Sequence, residues 1–339
     1  MVPPIGASVP SLSRRTLLAG TSVAGLTALA ACGSSDDAGA SASSSGTASS
    51  TTSIDTLFGA VEVPANPKNV VALGWGDMET VLALGGQVVG TSDWLAFGGD
   101  GVGPWASDLV KQTPEVLGTT ELSYEAVAAL TPDVILNTRQ SNAQAQQDEL
   151  KQIAPTVGPP PGQKVTYGTS WQDQVELVSA ALGTSDAGAK LIADLEAKFK
   201  DVAAANPGFA GKTVSVAAFF SGAFGAYVTG DSRVDFMTEL GFTQSPTVQA
   251  LSTDASFYVS LSDEQLDQLE ADLVVVFPIG ATTAEITANP GIQNLQATRD
   301  GRIVVFDDTT QANAFSSGTT LGLGYALDHA VPLFAQAIA

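Results

Sequence analysis

The side chains that most often carry proton transfer, covalent catalysis or metal ligation are scarce in this chain. It has one histidine, His329, and one cysteine, Cys32, among 339 residues. A lone histidine disfavours Ser-His-Asp catalysis and histidine-rich metal sites, and a lone cysteine excludes intrachain disulfides and Cys-rich zinc or iron–sulfur sites. No Gly-x-Ser-x-Gly and no Ser-x-x-Lys occurs, so nucleophilic hydrolysis lacks its usual signatures. His329 follows Tyr325-Ala326-Leu327-Asp328 in an apolar C-terminal stretch and reads as a packed helical residue. No catalytic residue and no metal ligand is nominated, and the chain reads as a binder rather than an enzyme.

What remains is aromatic and guanidinium chemistry, and much of it falls in loops. The four tryptophans all lie within the first 171 residues, and Trp75, Trp94 and Trp105 stand beside Gly-rich segments. Trp75 follows one expected strand, Arg139 another, Phe220 a third and Phe315 the last. Loops at the carboxyl ends of parallel strands are where α/β proteins hold ligands. Trp75, Trp94, Trp105, Arg139, Trp171, Phe220, Arg233, Tyr258 and Phe315 are therefore the ligand-binding candidates, with Tyr227 as a further contact. Each aromatic could equally pack its own lobe, and Trp171, ahead of the amphipathic stretch Val175 to Leu182, leans that way. Arg299 and Arg302 flank the turn Asp300-Gly301 and read as solvated.

These residues need elements to hold them. From Ile54 onward short β-branched runs alternate with helical stretches, the pattern of α/β units on parallel strands. Strands are expected at Val70–Leu73, Val88–Gly90 and Val134–Leu136, with helices at Asp77–Leu84 and Glu125–Leu130. The order recurs as strand Val214–Ala218, helix Val234–Leu240, helix Glu264–Leu269, strand Leu273–Phe277 and strand Ile303–Phe306. One motif repeats with identical spacing: Glu125, Leu130, Asp133 and Val134-Ile135-Leu136 match Glu264, Leu269, Asp272 and Leu273-Val274-Val275. The repeat implies two related lobes with Glu125 and Glu264 at equivalent places on their outer surfaces, where capping of a helix start is the simpler role. Between the halves, Leu191, Ile192, Leu195, Phe199 and Val202 recur at helical spacing, so one helix of about 30 Å either spans both lobes or packs on one. A cleft between the lobes is the place for a small ligand.

The first residues read as an address. Residues 1–31 contain no acidic side chain, carry Arg14-Arg15 and then run apolar from Leu17 to Ala31, the outline of a twin-arginine export signal too short to span a bilayer. Leu29-Ala30-Ala31-Cys32-Gly33 resembles a lipobox, which makes Cys32 the lipidation site. Residues 33–53 are Gly, Ala, Ser and Thr apart from Asp36 and Asp37, a composition that cannot fold and reads as a flexible tether. The expected divisions are a signal peptide at 1–31, a tether at 32–53, an N-terminal α/β lobe at 54–183, a linking helix at 184–206 and a C-terminal α/β lobe at 207–339. With 14 Lys+Arg against 35 Asp+Glu the net charge is -21, which excludes nucleic acid as a partner and makes a lipid anchor the only membrane contact.

Several stretches together resemble the substrate-binding lipoproteins of ABC importers, in the ferric-siderophore and cobalamin branch. They are Val71-Ala72-Leu73-Gly74-Trp75-Gly76-Asp77, Gly101-Val102-Gly103-Pro104-Trp105, Ala128 through Leu136, Ile153-Ala154-Pro155-Thr156, Gly168-Thr169-Ser170-Trp171-Gln172, Ser256-Phe257-Tyr258 and Phe315-Ser316-Ser317. The resemblance covers residues 54 to 339. It implies two Rossmann-like lobes bridged by one long backbone helix, the class III periplasmic-binding-protein arrangement, in a monomer lipid-anchored to the outer face of the cytoplasmic membrane of a Gram-positive-type bacterium. It implies capture of a ferric siderophore and delivery to an ABC permease and its ATPase for iron uptake, with no cofactor. Haem or cobalamin as ligand, or an accessory lipoprotein without transport, are the alternatives. In such proteins one glutamate per lobe pairs with permease arginines, the role Glu125 and Glu264 would take. With four arginines beyond residue 31, a neutral or weakly charged ferric complex fits better than a highly anionic one.

Overall fold

The computed structural model describes residues 51–118, 122–253 and 255–339. The export signal, Cys32 and most of the tether lie outside the described residues. The described chain opens on a hairpin of β1 (Thr51–Thr56) and β2 (Gly59–Pro64), paired antiparallel. Thr51–Ser53, read as tether from composition alone, are thus strand. Ile54 stands opposite the buried Val61 and Thr52 opposite the buried Val63, so the pairing carries the polar residues before Ile54 into the ladder.

Five parallel strands form the first sheet: β3 (Val70–Ala72), β4 (Gly90–Thr91), β5 (Glu115–Val116), β6 (Val134–Leu136) and β7 (Thr156–Val157), in the order β5-β4-β3-β6-β7. The order reverses between β3 and β6, so the crevice at this switch point lies between the loop that begins with Gly74-Trp75 and the one that carries Arg139. The strand expected at Val88–Gly90 pairs two residues later, because Gly90 and Thr91 stand opposite Val71 and Ala72.

The second sheet holds β8 (Thr213–Phe220), β9 (Ala223–Tyr227), β10 (Thr243–Gln244), β11 (Tyr258–Leu261), β12 (Leu273–Ile279) and β13 (Ile303–Val305), ordered β11-β9-β8-β12-β13 with β10 also on β8. Here β9 and β11 run antiparallel to their neighbours, which the repeat did not suggest. Ser221 and Gly222 both have positive φ, the two-residue turn that folds a strand straight back on itself. The switch point falls between β8 and β12, whose last residues Phe220 and Ile279 are register partners.

The repeated aspartates explain why the motif recurs. Asp133 accepts the backbone N–H groups of Lys68 at 2.7 Å and Asn69 at 2.9 Å, just ahead of β3. Asp272 accepts the N–H of Thr213, the first residue of β8, at 2.8 Å. Each carboxylate ties the start of its lobe's first strand to the strand that will pair with it, and these hydrogen bonds hold both carboxyls below the usual aspartate range.

The helix Ser185–Ala205 spans both lobes. Near its start Gly188 lies against Ser179 of the first-lobe helix Trp171–Leu182, while Leu195 and Phe199 join the second-lobe core with Val234 and Phe236. Lys198 reaches Gly324 O and Asp328 Oδ2, each at 2.8 Å, on the helix Thr320–His329. That helix also packs on the first-lobe helix Asp77–Ala83, giving a second brace across the lobes. His329 is exposed with its ring 4.0 Å from that of Tyr325, rather than packed in the interior as the apolar stretch suggested.

Candidate functional site

Side chains from both switch points and their flanking loops meet between the lobes. Trp75 is sandwiched between Trp94, with centroids 4.3 Å apart and planes 6° apart, and Tyr167, 4.0 Å away at 24°. Phe257 of the second lobe meets the edge of Trp75 at 6.1 Å and of Tyr167 at 5.8 Å. Behind Phe257 stand Tyr258 at 5.0 Å and Tyr227 at 6.4 Å. Thr166 N donates to Ala255 O at 3.1 Å, which holds the strip carrying Tyr167 against the second lobe. A separate cavity of about 510 Å³ lies between the lobes, lined by Phe97, Gly98, Gly99 and Pro104 from one and Thr309 and Asn313 from the other, with none of the cluster's rings in its wall.

Local sequence explains how the first-lobe residues are delivered. At Gly74 a Cβ would fall 2.8 Å from Thr138 N and 2.9 Å from Arg139 N, so only glycine lets the two loops of the switch point touch. Trp75 N then donates to Arg139 O at 3.0 Å. Asp77 opens the next helix fully buried and accepts from Thr138 Oγ1, from Gly74 N at 3.1 Å and from Gln174 Nε2 at 2.7 Å. Burial pushes its carboxyl up against the downward pull of those donors.

Two polar contacts bind the lobes beneath the rings. Arg139, only 3% exposed, donates through Nε to Thr169 O at 2.9 Å, through Nη1 to Ser317 O at 3.2 Å and through Nη2 to Gly318 O at 3.0 Å. Gly318 has φ of 61°, and a Cβ there would strike the guanidinium, so the second lobe also needs glycine at this contact. Glu79, buried in the first lobe, accepts from Thr319 Oγ1 of the second, and from Trp105 Nε1 at 2.9 Å. Burial raises the Glu79 carboxyl, opposed by those donors.

The nominated residues therefore separate. Trp75, Trp94 and Tyr258 come together in or beside the aromatic cluster, and Phe220 stands 59% exposed at the end of β8. Arg139 and Arg233 lie beneath the surface with their charges engaged. Arg233 meets Asp231 at 2.7 Å and sits 4.1 Å over the ring of Tyr227, whose hydroxyl burial pushes up to about 12. Three nominations are corrected. Phe315 is wholly buried among Phe236, Phe277, Phe306 and Phe334, because its helix Thr309–Ser317 turns that face into the core. Trp171 is 5% exposed, packs on Phe199 and donates to Glu239 Oε1 at 2.9 Å. Trp105 contacts the cores of both lobes and ties Glu79 to Tyr325 rather than joining the cluster. Tyr167 and Phe257 are the residues the sequence did not nominate. Tyr167 has φ of 57° in an irregular loop, where periodicity carries no signal, although Gly168-Thr169-Ser170 after it and Ser256 before Phe257 lay in stretches already singled out.

Glu125 and Glu264 are both exposed, each second in its helix, but the helix of Glu264, Asp263–Leu269, is 3-10 where that of Glu125, Tyr124–Ala129, is α. Among the described residues no group of His, Cys, Asp and Glu could hold a metal ion, and no helix is long and apolar enough to cross a membrane.

Comparison with known proteins matches residues 70–310 to the periplasmic binding protein family. The probable siderophore-binding lipoprotein YfiY of Bacillus subtilis (strain 168) is 29% identical over 313 residues, covering 88% of this chain and 92% of that protein. The Streptococcus pneumoniae TIGR4 protein PiaA in complex with ferrichrome superposes with a TM-score of 0.72 at 24% identity, covering 85% of this chain and 98% of that one. Staphylococcus aureus SirA complexed with staphyloferrin B gives 0.70 at 21% identity, with 84% and 98% covered. With its two α/β lobes, bridging helix and inter-lobe cleft, the chain belongs to the periplasmic binding protein family.

Proposed function

We propose that this chain binds a ferric siderophore outside the cytoplasmic membrane and hands it to an ABC permease, acting by binding alone. The observation that carries the reading is the aromatic cluster built from both lobes at the mouth of the cleft: Trp75, Trp94 and Tyr167 facing Phe257 and Tyr258. Aromatic, partly apolar surface suits a bulky chelate whose iron is already wrapped by its own ligands, and the inter-lobe cavity is within the usual size range for small-molecule sites. The similarity to a siderophore-binding lipoprotein over most of both chains supports the same ligand class. Cys32 would carry the anchor after twin-arginine export, and Glu125 and Glu264, exposed on separate lobes, would meet the permease.

Tryptophan fluorescence tests the reading, because Trp75 and Trp94 lie in the site. Titration with ferric hydroxamate, catecholate and citrate complexes, haem and cobalamin should give saturable quenching by a ferric siderophore, weakened about 10–100-fold in Trp75→Ala, which removes the ring that holds Trp94 and Tyr167 in the stack. Saturable binding of haem or cobalamin alone, or of nothing in the panel, would overturn it.

A further inference from the structure

We propose that the chelate this cleft accepts carries no net negative charge: a ferric hydroxamate, neutral or singly positive, rather than a ferric catecholate or citrate. The inference rests on the siderophore reading above and names its ligand class. It follows from where every described arginine is placed. Arg233 is paired with Asp231 at 2.7 Å, both side chains nearly sealed from solvent at 5% and 6% exposure. Arg139 directs its donors into three backbone carbonyls. Arg302 binds Ala271 O and Asp272 O ahead of β12, at the end of the sheet away from the cleft, and Arg299 binds Asn294 O on the same side. No guanidinium is left to fork onto an anionic ligand.

The surrounding charge points the same way. Asp77 and Glu79 are buried in the helix that follows Trp75, and Asp231, Asp235 and Glu239 line one face of the helix Ser232–Glu239 and its cap. Asp77, Asp231 and Asp235 are the carboxyls close enough to act on the Arg139 guanidinium, and Asp231 is paired with Arg233. Lys164, on the strip that leads to Tyr167, is exposed, and a single solvated ammonium is a weak counter to a triply negative complex. The cluster itself offers ring faces, whose negative quadrupole favours cations. Next to it Gln140, 3% exposed, accepts the Tyr167 N–H on its backbone at 2.7 Å while its side-chain N and O have no partner among the described residues. A buried, unpaired amide is suited to the neutral carbonyl and N–H groups of a hydroxamate chelator.

The test compares dissociation constants of the full chain for a neutral ferric trihydroxamate, a singly positive one, a ferric triscatecholate of charge −3 and ferric citrate. The trihydroxamates should bind at least about 100-fold tighter than either anionic complex. Raising salt from about 0.05 to 0.5 M should change their affinity less than about twofold, since no exposed ion pair carries it. Two variants add independent readouts. Asp231→Asn frees the Arg233 charge and should improve triscatecholate binding about tenfold or more, and Lys164→Ala should leave the preference unchanged. Equal or tighter binding of triscatecholate or citrate by the native chain would overturn the inference and leave the siderophore reading standing. Failure of all four ferric complexes to bind would instead remove the siderophore reading and the inference with it.

Discussion

Replacing Arg139 with alanine tests whether the lobes are held together by a buried cation rather than by packing alone. Its three hydrogen bonds, at 2.9, 3.2 and 3.0 Å, run from one charged donor group to Thr169, Ser317 and Gly318, the last two in the opposite lobe. Bonds from a charged group contribute about 1.5–3 kcal/mol each. Against this, burial brings the guanidinium pKa from 12.5 down to about 10, with Asp77 and Asp231 opposing the fall. That places the cost of keeping the charge there at about 3 kcal/mol. The difference, together with the carbonyls left without a donor, predicts a loss of about 2–5 kcal/mol in Arg139→Ala. Urea unfolding followed by far-ultraviolet circular dichroism measures it, and Arg139→Met, which keeps the apolar stem, separates lost packing from lost hydrogen bonds. Amide exchange around Ser317–Thr319 should speed up in both variants. A loss below about 1 kcal/mol with unchanged exchange would refute the account, because water would then be satisfying those carbonyls at no cost.

Phe315→Ala should destabilise the fold by about 3–5 kcal/mol, since a fully buried ring leaves a cavity among four other phenylalanines, while the ligand affinity of the folded fraction stays the same; stability curves and titrations on one preparation check both. Asp235 is pushed up to about 7 by burial and by the nearby Asp231 and Glu239, so the folded chain keeps a proton that the unfolded chain releases near pH 4. Its contribution to stability is therefore full below pH 4 and falls as pH rises to about 7, and Asp235→Asn should gain about 1–3 kcal/mol on the native chain at pH 8 and almost nothing at pH 4, read from unfolding curves at the two pH values. Glu125→Ala and Glu264→Ala, both at exposed sites, should leave stability within about 0.5 kcal/mol and ligand affinity within about twofold while iron uptake by cells falls; normal uptake in the double variant would remove their docking role.

Much of the architecture was legible because it rests on local rules. The apolar runs of β3, β6, β8 and β12 are buried on both faces and need no partner to be recognised, and the 21-residue helix shows its buried stripe at Leu195 and Phe199 directly. The Asp133 and Asp272 repeat was visible as spacing, though its cause, a carboxylate clamping the start of its lobe's first strand, required coordinates. Strands β9 and β11 were missed because a turn of Ser221-Gly222 looks like any other polar break until its backbone angles are known. The site was less legible. A tryptophan beside glycines reads the same whether its ring stacks in an inter-lobe cluster, as Trp75 does, or joins two cores, as Trp105 does. Nor does sequence distinguish an arginine free to bind an anion from Arg139 or Arg233, whose partners are supplied by residues distant in the chain or by a neighbouring cap.

The same arrangement bears on how a ligand would be taken up. The long helix, the Arg139 contacts and the Glu79–Thr319 hydrogen bond all cross between the lobes, so a wide hinge motion would break several buried polar contacts at once. Unpaired, each of those groups costs about 1–3 kcal/mol, more when charged, which opposes wide opening. The Trp94–Trp75–Tyr167 stack is cheaper to rearrange, since an aromatic pair contributes about 0.5–1.5 kcal/mol beyond its area and a ligand face can replace one ring with another. On the siderophore reading, recognition is therefore local: the frame keeps its spacing, and the rings at the mouth part to receive the chelate. The charges follow the same division, with the guanidiniums engaged within the frame and the cluster at the mouth made of uncharged rings.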